Sequence, residues 1–203
     1  MKIKLFNCKI YISFPLIAIL ALLTVIDKSY ISVLGFLATV LHEIGHILAM
    51  KIKGCKVKEI QLNLFSFNIV DQSRNEKNFF EDIFVLLSGS FFNFLIVLVF
   101  FIIFIFFKKI YFFYFCLENL LIGLINLLPI MSLDGGQILY IFLILKLNEK
   151  LAYYVLNVVS VILLLPISIF GFFVLINSKY NFSLLGICIY LIILILLKKN
   201  EYI

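Results

Sequence analysis

The chain has no tryptophan, three prolines, two histidines and only 14% charged residues in 203 positions. The shortage of charge excludes most. A soluble domain carries about a quarter charged residues and an apolar share near one half, whereas 65% of this chain is hydrophobic, with 24 Phe and a mean hydropathy of +1.20. That composition excludes a water-soluble globule and predicts a polytopic membrane protein. Cys8, Cys55, Cys116 and Cys188 are scattered and form no CxxC pair, which excludes a disulfide framework and a thiolate zinc site. The net charge of +6 does not signal nucleic acid, because the lysines lie between apolar spans instead of forming a basic stripe with interleaved aromatics. Heavy use of Phe, Ile, Lys and Asn fits an AT-rich bacterial genome. The first apolar run has no small-residue cleavage pattern before Asp27-Lys28, so it is expected to stay as the first membrane helix.

Apolar runs of roughly 20 residues, the length a bilayer core requires, occur at Phe6 to Ile26, Ile31 to Met50, Ile83 to Phe107, Ile110 to Ile130, Ala152 to Ile176 and Phe182 to Leu197. The expected fold is therefore an all-α bundle of six transmembrane helices forming one membrane-embedded domain over residues 1–203. The run Ile138 to Leu147 is too short to cross and either completes a broken fourth span or lies beside it. Ile60, Leu62 and Leu64, then Phe65, Phe67 and Ile69 with shifted parity, predict a small membrane-associated β-hairpin after the second helix, or one strand bulged near Leu64-Phe65. Asp71 to Asn78 reads as a polar linker. Thirteen of the seventeen basic residues fall on one side of this arrangement, leaving Lys28, Lys108, Lys109 and Lys179 on the other, so both termini are expected in the cytoplasm of a bacterial cell membrane.

Both histidines stand in one run, His42-Glu43-Ile44-Gly45-His46, inside the second span. One helical turn separates the imidazoles, so they leave the same face and can share a metal, with Glu43 one step round. This is the zinc-metalloprotease spacing. A carboxylate at membrane depth costs about 3 kcal/mol on insertion scales and usually persists for a functional reason. Counted from Lys51, the histidine pair lies on the order of 10 Å below the cytoplasmic surface.

Two imidazoles leave a zinc site one protein ligand short. Asp134 is the best remaining candidate, in Asn126-Leu127-Leu128-Pro129-Ile130-Met131-Ser132-Leu133-Asp134-Gly135-Gly136, where proline and a glycine pair break the helix. Read alone, Asp134 is better explained as the cap of a helix beginning at Gly135, and beside the histidine pair the ligand reading takes precedence. Glu118 reads as an interfacial residue at its helix start, a partner that supports a metal ligand, or a gate, and Asn157, Ser160, Pro166 and Gly171 read as packing and kink residues of the fifth span.

His42-Glu43-xx-His46 followed by Asn126-xx-Pro129-xxxx-Asp134-Gly135 resembles the site-2 protease family of intramembrane zinc metalloproteases. The resemblance covers about residues 31–147, the family's catalytic core, leaving extra C-terminal helices at about 152–197. It implies one zinc ion per chain held by His42, His46 and Asp134, Glu43 as acid/base, and a membrane-spanning or membrane-apposed protein substrate in the lipid bilayer. The Gly-Pro-xx-Asn element of the family stands here as Gly89-Ser90-Phe91-Phe92-Asn93, without its proline, which puts the local helix start in question. No PDZ or CBS module is expected, and the minimal form is similar to the sporulation-factor-processing branch. In the implied chemistry, zinc activates water, Glu43 moves its proton, and Asn126 or Asn93 donates a hydrogen bond to substrate backbone or oxyanion; the other reading of both asparagines is interhelical bonding. The rival functions are a zinc transporter, or a catalytically silent chaperone or adaptor of the same fold, with or without a regulatory membrane partner.

Overall fold

A computed structural model describes residues 2–5, 8–12, 31–54, 57–62, 67–71 and 78–178, with Ile189 and Ile192; the strands are described as backbone only. Among the described residues, four strands and five helices run in the order β1 (Lys2–Leu5), β2 (Cys8–Ile12), α1 (Ile31–Ile52), β3 (Val57–Leu62), β4 (Phe67–Asp71), α2 (Phe79–Phe107), α3 (Ile110–Asn126), α4 (Asp134–Ile144) and α5 (Glu149–Ser178). The chain divides into two compact units, Met1–Ile125 and Asn126–Ile203.

The six-span all-α bundle with a lone hairpin is not what forms. Among the described residues, three helices are long and apolar enough to cross a membrane: Ile31–Ile52, Phe79–Phe107 and, within α5, Glu149–Phe173. The helices Ile110–Asn126 and Asp134–Ile144 are apolar but shorter. The expected first span fails at its beginning, because residues 8–12 are a strand. Lys2-Ile3-Lys4-Leu5 and Cys8-Lys9-Ile10-Tyr11-Ile12 alternate polar and apolar residues at period two, a strand pattern that a hydropathy window averages away. Most of Phe6 to Ile26, nearly all of Phe182 to Leu197, and the expected bulge at Leu64-Phe65 lie outside the described residues. The fourth expected span ends early, at Asn126, because Pro129 removes a backbone donor and biases Leu128 away from helical backbone.

In the first unit the strands form one sheet in the order β1-β2-β3-β4. β1 and β2 pair antiparallel, as do β3 and β4, and the register irregularity falls between Val57 and Glu59. β2 and β3 are parallel, with Lys9 opposite Glu59. Parallel neighbours need a crossover, and α1 lies in it. The sheet thus joins α1 at its His46 end.

Gly54, at φ +75°, lies just beyond that end. It supplies the left-handed residue on which helices commonly stop. Lys51 in the last turn complements the helix dipole, and the Lys53 ammonium sits 5.2 Å from the ring centre of Phe84 on α2. Acidic Glu81 and Asp82 occupy the first turn of α2, the favourable end for negative charge. α2 and α3 are separated only by Lys108-Lys109, with Lys108 at φ 50°, and they pack as an antiparallel pair through Phe100 and Phe115, edge to face at 4.7 Å, and Phe104 and Phe113 at 5.5 Å.

Polar bonds tie the three helices. Asn93, fully buried on α2, donates from Nδ2 to the carbonyls of Ala38 on α1 and Asn119 on α3, each at 3.4 Å. Asn119 in turn donates to Phe115 at 2.8 Å. In hydrocarbon such groups cannot fall back on water, so these bonds are the condition of placing asparagine there.

In the second unit, the turn between α3 and α4 lies against α5. Ile130 and Leu164 form its buried centre, with Leu128, Leu133 and Leu163 packed round them. α5 runs through Pro166 and begins with the Asn148 carboxamide accepting from the Leu151 backbone at 2.9 Å, an N-terminal cap. Many large apolar side chains on these helices are exposed, among them Phe91, Phe106 and Ile169 at 68%, 78% and 69%. Their solvent is lipid, which makes this a membrane protein.

Candidate metal centre

The candidate centre begins with helix periodicity. His42 and His46 are one turn apart on α1 and both are buried, in a helix whose other buried positions, Ala38, Gly45, Ala49 and Met50, are all small or flexible. This face allows α2 to come close. A carbon added to Gly45 would meet the Ser88 carbonyl at 2.7 Å and the Gly89 Cα at 3.0 Å, so the two backbones touch at this crossing.

Gly89 faces the histidines. A carbon added there would stand 2.5 Å from His46 Nε2 and 2.7 Å from His42 Cε1. The bare glycine is therefore a wall of the site, and any side chain would enter the space the rings occupy. The missing proline of the Gly89-to-Asn93 element does not start a helix here, since α2 runs unbroken from Phe79 through it.

The imidazoles are oriented from outside. His46 Nδ1 lies 2.8 Å from the Val85 carbonyl, a partner that only an N–H can satisfy, so the proton sits on Nδ1 and the Nε2 lone pair is left to face His42. Ser88 donates to the same carbonyl at 2.5 Å, which fixes the acceptor. The two Nε2 atoms are 3.2 Å apart, with the rings nearly perpendicular at 85°. Two nitrogens bound at 2.0–2.1 Å in a tetrahedron are about 3.3 Å apart, so the pair has the separation that a shared zinc ion demands. The same separation suits a hydrogen bond between the two ring nitrogens.

Glu43 is half-buried on the same helix, one residue round from His42. In the second unit Asp134 is half-buried and is itself the first residue of α4; the residue capping that helix is Leu133, which makes no side-chain cap bond. The Asp134 carboxylate stands in the first turn of α4, the favourable end of a helix for negative charge. His42, His46 and Asp134 can each offer one ligand atom, two imidazole nitrogens and a carboxylate oxygen.

Asn93 and Asn126 divide differently. The Asn93 amide spends its donors on Ala38 and Asn119, the role of a tie between helices. Asn126 is half-buried at the last turn of α3. Glu118 is on α3 with its carboxylate against Gly35, two turns along α1 from His42: a carbon added at Gly35 would lie 3.2 Å from Oε2. Sequence reasoning did not find Gly89 as a wall of the histidine site. Its glycine identity within the recognised element was the available signal.

No protein-family profile matches the chain, and no curated protein matches it. Among solved structures it resembles a site-2 protease from Methanocaldococcus jannaschii, with a TM-score of 0.68 and 23% identity, over 94% of this chain and 91% of that one. The two share a fold.

The wall formed by Gly89 gives a test that separates position from composition. Gly89→Ala should weaken divalent-metal affinity at least about tenfold, the scale of a lost supporting contact. Gly35→Ala, whose added carbon meets only the movable end of Glu118, should leave it unchanged. Competition with a chelator in detergent measures both, and equal affinities would remove Gly89 from the site.

Proposed function

We propose that this protein is an intramembrane zinc protease of the site-2 type, cutting a membrane-spanning or membrane-apposed protein substrate. The observation that carries the reading is the 3.2 Å approach of two buried imidazole nitrogens on a membrane-length helix, with a carboxylate beside them. The fold likeness supports it independently.

His42, His46 and Asp134 would hold the ion, and Gly89 and the Val85 carbonyl keep the histidine rings in place. When bound, zinc supplies a Lewis acid for the scissile carbonyl and acidifies a water molecule. Glu43 accepts the proton released as that carbonyl is attacked and returns it to the leaving amine. Asn126 is the proposed donor to the developing oxyanion, and the Asn93 amide, bonded to the Ala38 and Asn119 carbonyls, ties the helices. A helical substrate hides its amides, so it must unwind before attack, and β1 or β4, the edge strands of the sheet among the described residues, would offer such a segment backbone partners.

Paired variants test the assignment. Glu43→Gln should lower cleavage of a co-expressed membrane substrate by roughly 10²–10⁴-fold, the usual contribution of a general acid/base, with zinc content unchanged. Asp134→Ala should lose zinc and activity together. Undiminished cleavage by the first variant would remove Glu43 from the chemistry, and full zinc occupancy of the second would remove Asp134 from the ligand set.

The basic residues also give an orientation. Both termini and the loop following α1 face the cytoplasm in this proposal, the site lies in the inner half of the membrane, and water reaches it from the cytosol. With the native cysteines replaced, a cysteine at Ser73 should react with an impermeant maleimide only after cells are opened, and one at Ser178 in intact cells. The opposite pattern would reverse the orientation while leaving the metal assignment intact.

A further inference from the structure

Between α3 and α4 the chain makes a turn, residues 127–133, that has little regular backbone bonding of its own. Pro129 has no N–H to give. Ile130 donates to Leu128 at 2.7 Å and Leu133 to Ile130 at 2.8 Å, both within the turn. Met131 is different: its N–H donates to the hydroxyl oxygen of Ser160, 29 residues on, at 2.9 Å. Ser160 is completely buried on α5, and its own O–H donates to the Leu156 carbonyl one turn back at 2.7 Å. One hydroxyl thus accepts from the turn and donates to the helix, using both of its abilities in a place with no water. Leu163 and Leu164, on the same face of α5, pack against Leu128, Ile130 and Leu133 of the turn.

The turn is coupled rigidly to α4. A carbon added to Gly136 would collide with the Ile130 carbonyl, and one added to Gly135 with the Leu127 carbonyl. The first turn of α4 therefore rests directly on the backbone of the loop, and Asp134 is its first residue. A displacement of Met131 passes to Asp134 through backbone in contact with backbone, with no flexible side chain to absorb it.

We infer that Ser160 is a positioning residue for Asp134: its hydroxyl fixes the Leu127–Leu133 turn, and through it the carboxylate offered to the metal. This rests on the proposed metal reading. Deleting the hydroxyl leaves the buried Met131 N–H without its acceptor and allows the turn to shift toward another, so metal affinity falls although no ligand is removed.

Ser168 provides a matched control. It lies on α5, is partly buried, and donates to the carbonyl four residues back at the same 2.7 Å, and the turn donates nothing to it. In the full-length protein in detergent, zinc affinity is measured by chelator competition for the parent, Ser160→Ala and Ser168→Ala. Ser160→Ala should bind zinc about 10- to 100-fold more weakly, the range found for groups that orient metal ligands, and Ser168→Ala should match the parent. Should Ser160→Ala fail to accumulate, Ser160→Cys, with a weak acceptor in a similar volume, takes its place and should also bind more weakly than the parent. Parental affinity in whichever Ser160 variant is measured, or an equal loss in Ser168→Ala, would overturn the inference and leave the metal site standing. A parent chain that binds no zinc would overturn the metal reading and this inference together.

Discussion

The close crossing of α1 and α2 is the constraint on which the candidate site depends. Gly45 lets the Ser88–Gly89 backbone approach α1, and Gly89 lets that backbone lie directly against the two imidazoles. Helices associating in lipid gain little from burying apolar surface, because the tails are as apolar as leucine; what they gain comes from close contact and from satisfied polar groups. Small residues supply the first here, and the Asn93 bonds to Ala38 and Asn119 supply the second. The same approach brings the Val85 carbonyl to His46 Nδ1, so helix packing also selects the tautomer.

Polar chemistry at membrane depth imposes a second condition. Every donor and acceptor away from water needs a partner, which is why irregular backbone is rare there. In the Leu127–Leu133 turn Ile130 and Leu133 bond within the turn, Pro129 carries no donor, and Met131 gives its N–H to Ser160. A break in the helix becomes tolerable because another helix supplies the missing acceptor. That break is what puts Asp134 at the start of a helix instead of along its side.

The membrane-length helices and the histidine pair were legible in the sequence because they depend on local periodicity. Hydropathy marked α1, α2 and α5 nearly to their ends, and the i, i+4 spacing of His42 and His46 placed both rings on one buried face. Pro129 and the glycine pair marked the break before Asp134. The amino-terminal strands were missed because the adjoining hydrophobic run raises the average hydropathy of a window that includes the alternating lysines, which conceals a period of two. What appeared to be a lone hairpin is half of a sheet whose β2 and β3 neighbours are separated by α1.

The sequence by itself determined the solvent, the buried face of α1 and the identity of the candidate ligands, since each follows from residue type and a spacing of a few positions. Only the tertiary structure decided the 3.2 Å between the imidazole nitrogens, the glycine wall beside them, and the bond from Ser160 to Met131 across 29 residues. Those are relations between segments distant in the chain. A helical period fixes the direction in which a side chain leaves its own axis, but what it meets there depends on how closely another backbone can approach, and that is set by packing.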